Sequence, residues 1–251
     1  MSGFEFSHLT RTYGVNSMQF LKDAFLYSSY VAYKPKLWYR LSNLERVFSA
    51  SKWVKDNKVE NCTHREEYYD TIIQKEELTN TPISFFEFGV WTGNSFRHWA
   101  EHLHHPESQF FGFDTFTGLP ERWRDYDKGY FDTSGEIPTI QDKRCAFVKG
   151  LLQNTLPKFL KENPPKNRMV MHYDLDLYGP TLYGLIQMYP FLKKGDIILF
   201  DEFIVLSALN HEFRAFNNFN ESIHHSLEYE TISAAKRYIQ VAMKITKQTE
   251  V

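Results

Sequence analysis

Four carboxylates stand at the ends of two apolar runs, in "MHYDLDLYGPT" and "DIILFDEF": Asp174, Asp176, Asp201 and Glu202. If those runs are neighbouring strands, the acids converge, and such a cluster repels itself unless a proton or a cation relieves it. All-oxygen ligation suits Mg²⁺ or another hard divalent ion, and an ion held there can lower the pKa of a bound substrate hydroxyl. Asp174, Asp201 and Glu202 form the expected metal set. Taken singly, each acid could instead cap a helix or pair with a Lys or Arg. His211, in "LNHEFRAF", follows the second run closely enough to reach a pocket and is a candidate general base.

A second constellation lies in "FFEFGVWTGNSF", where an apolar run carrying Glu87 turns through Gly89 and Gly93 into a polar segment. Nucleotide-binding turns between strand and helix look like this, but the G-x-G-x-x-G spacing of a dinucleotide site is missing. Asp114, in "FGFDTFTGLP", follows Gly93 by 21 positions, the separation at which an acid binds ribose hydroxyls in doubly wound folds. Glu87 would repel a pyrophosphate but suits a ligand with a cationic end. A nucleoside joined to an amine, as in S-adenosylmethionine, satisfies both acids. The other histidines carry less chemistry. His98, His102 and His105 fall on or just after one helix and read as surface residues, and His172 reads as a core histidine facing away from Asp174.

These residues need a scaffold that brings strand ends together. From residue 83, "ISFFEFG", "SQFFGFD", "CAFVKG", "RMVMHYD" and "GDIILFD" are short apolar runs that all finish on Gly or Asp. That is the pattern of parallel strands buried on both faces, with ligand-binding residues at their carboxyl ends. "NSFRHWAEHLHH" and "TLYGLIQMYPFL" are long enough for crossover helices, and "LEYETISAAKRYIQVAMKI" reads as two strands joined by a turn near Ser233 to Lys236. The expected fold is α/β: a doubly wound, mostly parallel sheet with an antiparallel strand pair at its C-terminal end. Residues 1–80 read differently. "SMQFLKDAFLYSSYVAY", "KLWYRLSNLERVFSASKWVKDN" and "REEYYDTIIQKEEL" repeat apolar residues every three or four positions, as amphipathic helices do. They are expected to form a helical extension or lid, with 81–251 as the ligand-binding domain.

Composition narrows the partners. Of 251 residues, 42% are hydrophobic and 17% aromatic, enough for a substantial core, while 29 basic residues nearly balance 31 acidic ones. That balance predicts neither nucleic acid nor an anionic membrane as partner. The first residues lack a signal-peptide core, no run approaches a membrane span, and two distant cysteines suit a reducing cytoplasm. Exposed aromatic helices in the first 60 residues point to a homodimer.

The motifs "FEFGVWTGNSF", "GFDTFTGLPE", "FVKGLLQNTLP", "HYDLDLYGPT" and "DIILFDEF", in this order, resemble the macrocin O-methyltransferase family between about residues 83 and 219. The resemblance implies a class I, S-adenosylmethionine-dependent enzyme that methylates sugar hydroxyls with Mg²⁺. It implies that Glu87, Gly89 and Gly93 frame the methionine moiety and that Asp114 takes the ribose, with Thr115 and Phe116 beside the adenosine. Gly150 and Leu151 would pass near the adenine. Asp174, Asp201 and Glu202 match the metal positions, and Asp174 would also lie near the cofactor and the acceptor hydroxyl. Two departures stand out: Asp201-Glu202 replaces an Asp-Asp pair, and Asn94 replaces a second glycine. The long aromatic segment 121–139, with Trp123, Tyr126, Tyr130 and Phe131, is expected to form part of the acceptor pocket. Taken without the resemblance, the residues leave open a nicotinamide-dependent reductase or a non-catalytic S-adenosylmethionine-binding protein.

Overall fold

The computed structural model describes residue 22 and residues 35–248, the side chains of 35–43 excepted. Apart from Lys22, the segment "SMQFLKDAFLYSSYVAY" lies outside the described residues, as does much of the aromatic surface on which a homodimer was expected. The chain divides into two compact units, residues 1–45 and 46–251, so residues 46–80 fall in the second unit. In the first, the described structure is helical, the opening residues of α1 (Pro35–Asp56).

The second unit is built on one eight-stranded sheet. Its strands are β1 (Asn61–Cys62), β2 (Ile83–Phe88), β3 (Gln109–Asp114), β4 (Cys145–Lys149), β5 (Arg168–Tyr173), β6 (Ile197–Phe200), β7 (Leu227–Ala235) and β8 (Gln240–Gln248). They lie in the order β1-β7-β8-β6-β5-β2-β3-β4. Strands β4, β3, β2, β5 and β6 run parallel, and β8 joins β6 and β7 in antiparallel pairs. All five apolar runs from residue 83 are strands, as expected. β2 and β6 are buried along their whole length, whereas β4, at the sheet edge, is half exposed.

Helices α2 (Arg65–Lys75), α3 (Asn94–His102), α4 (Leu152–Glu162), α5 (Tyr178–Met188) and α6 (Glu212–Ser222) accompany the strands. Helix α3 shows why its sequence folds this way. Gly93 starts it in a left-handed conformation (φ 77°), and Phe96, Trp99 and Ala100, spaced at three and four, bury one stripe. Trp99 stacks on Phe85 of β2 with ring centroids 5.2 Å apart. Cutting such a buried ring back to Ala would cost about 3–5 kcal/mol.

Two details differ from expectation. The terminal hairpin turns at Lys236, Arg237 and Tyr238, all at positive φ, rather than from Ser233. Ser233, Ala234 and Ala235 stay in the strand because their small side chains are buried and β7 pairs there with β8 and with β1. β1 itself is two residues long, too short to leave a periodic signal. Among the described residues, no helix is long and apolar enough to cross a membrane.

Candidate active site

Sheet pairing continues just past the strand ends and lays the predicted residues side by side. Gly150 N–H donates to the Asp114 carbonyl (2.9 Å), and Gly89 N–H donates to Phe113 (2.9 Å). Asp174 N–H donates to Phe88 (2.8 Å), and Asp201 N–H donates to Tyr173 (3.0 Å). Across the carboxyl edge the order is therefore Gly150, Asp114, Gly89, Asp174, Asp201. The connections reverse direction between β3 and β5, on either side of β2, which is where doubly wound sheets bind ligands. A cavity of about 740 Å³ opens there, lined by Gly89, Asp114, Thr115, Gly150, Leu151, Asp174, Asp201 and Glu202 among others.

The glycine-turn side is held by backbone. Gly89 sits at φ 90°, and a Cβ there would stand 1.8 Å from the Asp174 carbonyl oxygen, so no other residue fits this approach. Asp114 Oδ2 accepts the N–H groups of Val90 (2.7 Å) and Trp91 (2.8 Å), while Oδ1 accepts that of Phe116 (2.7 Å). Of roughly four lone-pair sites on a carboxylate, one remains on Oδ1. Phe116 is fully buried against Phe147 and does not line the cavity; its contribution here is that N–H. Gly93 packs under Pro138, also away from the lining.

Glu87 lies beneath the turn and is fully buried. Its Oε1 accepts the Ser95 hydroxyl and faces His172 Nδ1 at 3.0 Å, and its Oε2 has no hydrogen-bond partner. This corrects the expectation for His172. Residues two apart in a strand share a face, so His172 points to the same side as Asp174, not away from it. Its Nε2 stands 3.9 Å from Asp201 Oδ1, a charge contact rather than a hydrogen bond. Burial opposes charging the ring, but Asp201 and Glu87 outweigh it and push the imidazole up to about 10.

The other side is crowded with acids. Asp201 is buried; its Oδ2 takes the Arg65 guanidinium and its Oδ1 the Gln240 amide (3.1 Å). Burial works against its charge, yet His172 and Arg65 hold its pKa below the usual range. The remaining acids go the other way. Burial, then the charge of Asp201, raises Asp174 well above the carboxylate range. Burial with Glu202 and Asp201 nearby brings Asp176 to about 8, and burial with Asp201 nearby brings Glu202 to about 7. Beneath them, the fully buried Glu212 accepts the Glu202 N–H on Oε2 (2.9 Å) and is itself raised by burial. Ligand atoms of His172, Asp174 and Asp201 lie within 4.8 Å of one another. The four acids outnumber the cations beside them, Arg65, Arg124 and His172, and that surplus of oxygen donors fits a hard divalent ion. Glu202 lines the same cavity but stands outside that tightest group. His211 is the N-cap residue of α6, and burial, with Arg214 nearby, lowers its pKa; it does not line the cavity.

The segment from 115 to 144 closes the rim as a folded loop. Leu119 and Trp123 are buried with Leu177 and Ala208, and Tyr126, Phe131 and Val205 pack against them. Trp123 and Tyr126 stack at 5.6 Å, and together with Arg124 and Phe131 they line the cavity, as does Trp91; Tyr130 does not. Arg65 and Trp91 are site residues that the motifs did not announce. Arg65 comes from the first turn of α2, and its one sequence signal is a cation opening an amphipathic helix.

Residues 60–232, more than half the chain, match the Macrocin-O-methyltransferase (TylF) family. No curated protein is significantly similar in sequence. The fold is that of CalS11, a calicheamicin methyltransferase, at 22% identity over 80% of this chain and 91% of that one, with a TM-score of 0.54. It is also that of the O-methyltransferase NovP, at 19% identity over 72% of this chain and 78% of that one, with a TM-score of 0.52. A second CalS11 structure, at 22% identity over 80% and 93% with a TM-score of 0.50, describes that enzyme as a TDP-rhamnose 3'-O-methyltransferase. The chain therefore belongs to the macrocin O-methyltransferase family of S-adenosylmethionine-dependent O-methyltransferases.

Proposed function

We propose that the chain methylates a hydroxyl of a sugar or sugar-containing small molecule, at a centre that takes Mg²⁺. The observation that carries the reading is the surplus of carboxylates beside the glycine turn, in one cavity. In this reading Asp174, Asp201 and Glu202 hold the ion. Bound there, Mg²⁺ would supply Lewis acidity toward the acceptor oxygen.

The remaining work belongs to the chain. Glu87 is fully buried beneath the turn and does not line the cavity; its unpartnered Oε2 suits the ammonium of the cofactor's methionine end from below. The spare lone pair of Asp114 takes a ribose hydroxyl, and Thr115, Gly150 and Leu151 border the adenine. Trp91, Trp123, Tyr126 and Phe131 offer apolar faces on which a sugar ring can lie, and they exclude water from the transfer. Alignment of the acceptor oxygen with the activated methyl is the main catalytic contribution. Asp174, between Gly89 and Asp201 on the carboxyl edge, receives the hydroxyl proton; His211, the other base expected from the sequence, does not line the cavity. CalS11's description as a sugar methyltransferase is in keeping with such an acceptor, and family membership supports the chemistry.

The test measures S-adenosylhomocysteine formation with free sugars, glycosides and nucleotide-linked sugars, with and without excess chelator. The expected result is turnover on a sugar-bearing acceptor that falls at least about tenfold in chelator and returns with Mg²⁺. Full activity in chelator would contradict the metal; turnover restricted to acceptors without a sugar would contradict the acceptor class.

A further inference from the structure

Helix α3 carries His98 and His102 four positions apart, in the order His98-Trp99-Ala100-Glu101-His102. Residues spaced i and i+4 stand one above the other on a helix face. The two rings are nearly parallel, 4.2 Å between centroids and 17° between planes. A third group comes from a different helix: Asp70, on α2, has Oδ1 2.9 Å from His98 Nε2. Ligand atoms of Asp70, His98 and His102 lie within 4.8 Å of one another. None of the three lines the cavity.

We propose that Asp70, His98 and His102 form a zinc-type cation site that ties α2 to α3. His102 Nδ1 is 2.8 Å from the His98 carbonyl oxygen. A carbonyl can only accept, so Nδ1 carries the proton and Nε2 presents a free lone pair. Metal-binding histidines characteristically fix their other nitrogen on a carbonyl or carboxylate in this way. Two imidazoles four apart on a helix, completed by a carboxylate from elsewhere, is a ligand set that zinc proteins use. His98 is mostly buried and Asp70 half exposed, while His102 is exposed, so water completes the shell.

The donor chemistry separates this site from the acid centre. Two imidazoles favour Zn²⁺ over Mg²⁺, whereas the acid centre, with one imidazole among several carboxylates, favours the harder ion. The site has a consequence for the cavity because α2 also carries Arg65, whose guanidinium rests on Asp201. Pinning Asp70 to α3 restrains the helix that delivers Arg65.

The experiment titrates Zn²⁺ into the untagged full chain by calorimetry, with saturating Mg²⁺ present to occupy the acid centre. One Zn²⁺ per chain is expected, with affinity reduced at least about tenfold in His102→Ala and in Asp70→Asn. The His104→Ala control should change it by less than about twofold. Zn²⁺ should raise the thermal midpoint of the wild-type chain and leave that of His102→Ala unmoved, a comparison in which the exposed position guards against misfolding. Absence of Zn²⁺ binding overturns the proposal. So does binding that survives in the His98→Ala/His102→Ala double variant, or that falls equally in the His104→Ala control, which would mark an adventitious ion only.

Discussion

On the β3–β2 side of the cavity, Asp114 meets three backbone N–H groups, and the turn it anchors needs nothing from outside. On the β5–β6 side, Asp174, Asp176, Asp201 and Glu202 face Arg65, Arg124 and the buried imidazole of His172, and three of those four carboxyls are still pushed upward. One region is satisfied by its own chain, so its shape is set on folding. The other keeps more acid than the cations beside it match, so its charge state is open to change. Groups that recognise a constant part of a ligand can be fixed by backbone; groups that act on a reacting oxygen need charge that changes.

Breaking the satisfied side should have the largest effect. Gly89→Ala forces a Cβ into the Asp174 carbonyl, and the expected loss is about 3 kcal/mol or more, read by urea denaturation. Loss below about 1 kcal/mol would show that the turn yields easily. Asp114→Asn removes an acceptor from the same turn and should cost about 2 kcal/mol, with weaker cofactor binding by calorimetry. On the acid side, Arg65→Met should do the opposite of damage to metal binding. It frees an oxygen of Asp201 and removes a competing cation, so Mg²⁺ affinity should rise about tenfold, or about 1.4 kcal/mol. An unchanged Mg²⁺ affinity would mean that Arg65 and the ion do not share Asp201.

The smallest effect is in pH. Glu202 near 7 and Asp176 near 8 are raised by burial, so both hold protons at pH 6 and release them by pH 9. Metal binds the ionised form, and Mg²⁺ affinity should therefore increase over that interval, by about three- to tenfold.

The satisfied side was also the more legible in sequence. Its glycines and Asp114 sit at fixed offsets from buried strands, and strand periodicity located them. The acids of the other side were found for the same reason, since Asp174 and Asp201 end β5 and β6. What escaped was everything whose position depends on packing between distant segments. Arg65 reaches Asp201 across 136 positions of sequence, and no local pattern encodes that. His172 was placed on the wrong face, although the two-residue period of a strand should have aligned it with Asp174. The 115–144 loop has no periodicity; its order comes from Trp123 and Leu119 finding Leu177 and Ala208.

The most direct measurement is a calorimetric titration of Mg²⁺ into the full chain with S-adenosylhomocysteine present, repeated on Asp174→Asn. One Mg²⁺ per wild-type chain, lost in the variant while cofactor affinity stays within about threefold and methyl transfer falls at least about a hundredfold, is the predicted result. No Mg²⁺ binding by the wild-type chain, together with undiminished methyl transfer in excess chelator, would contradict it.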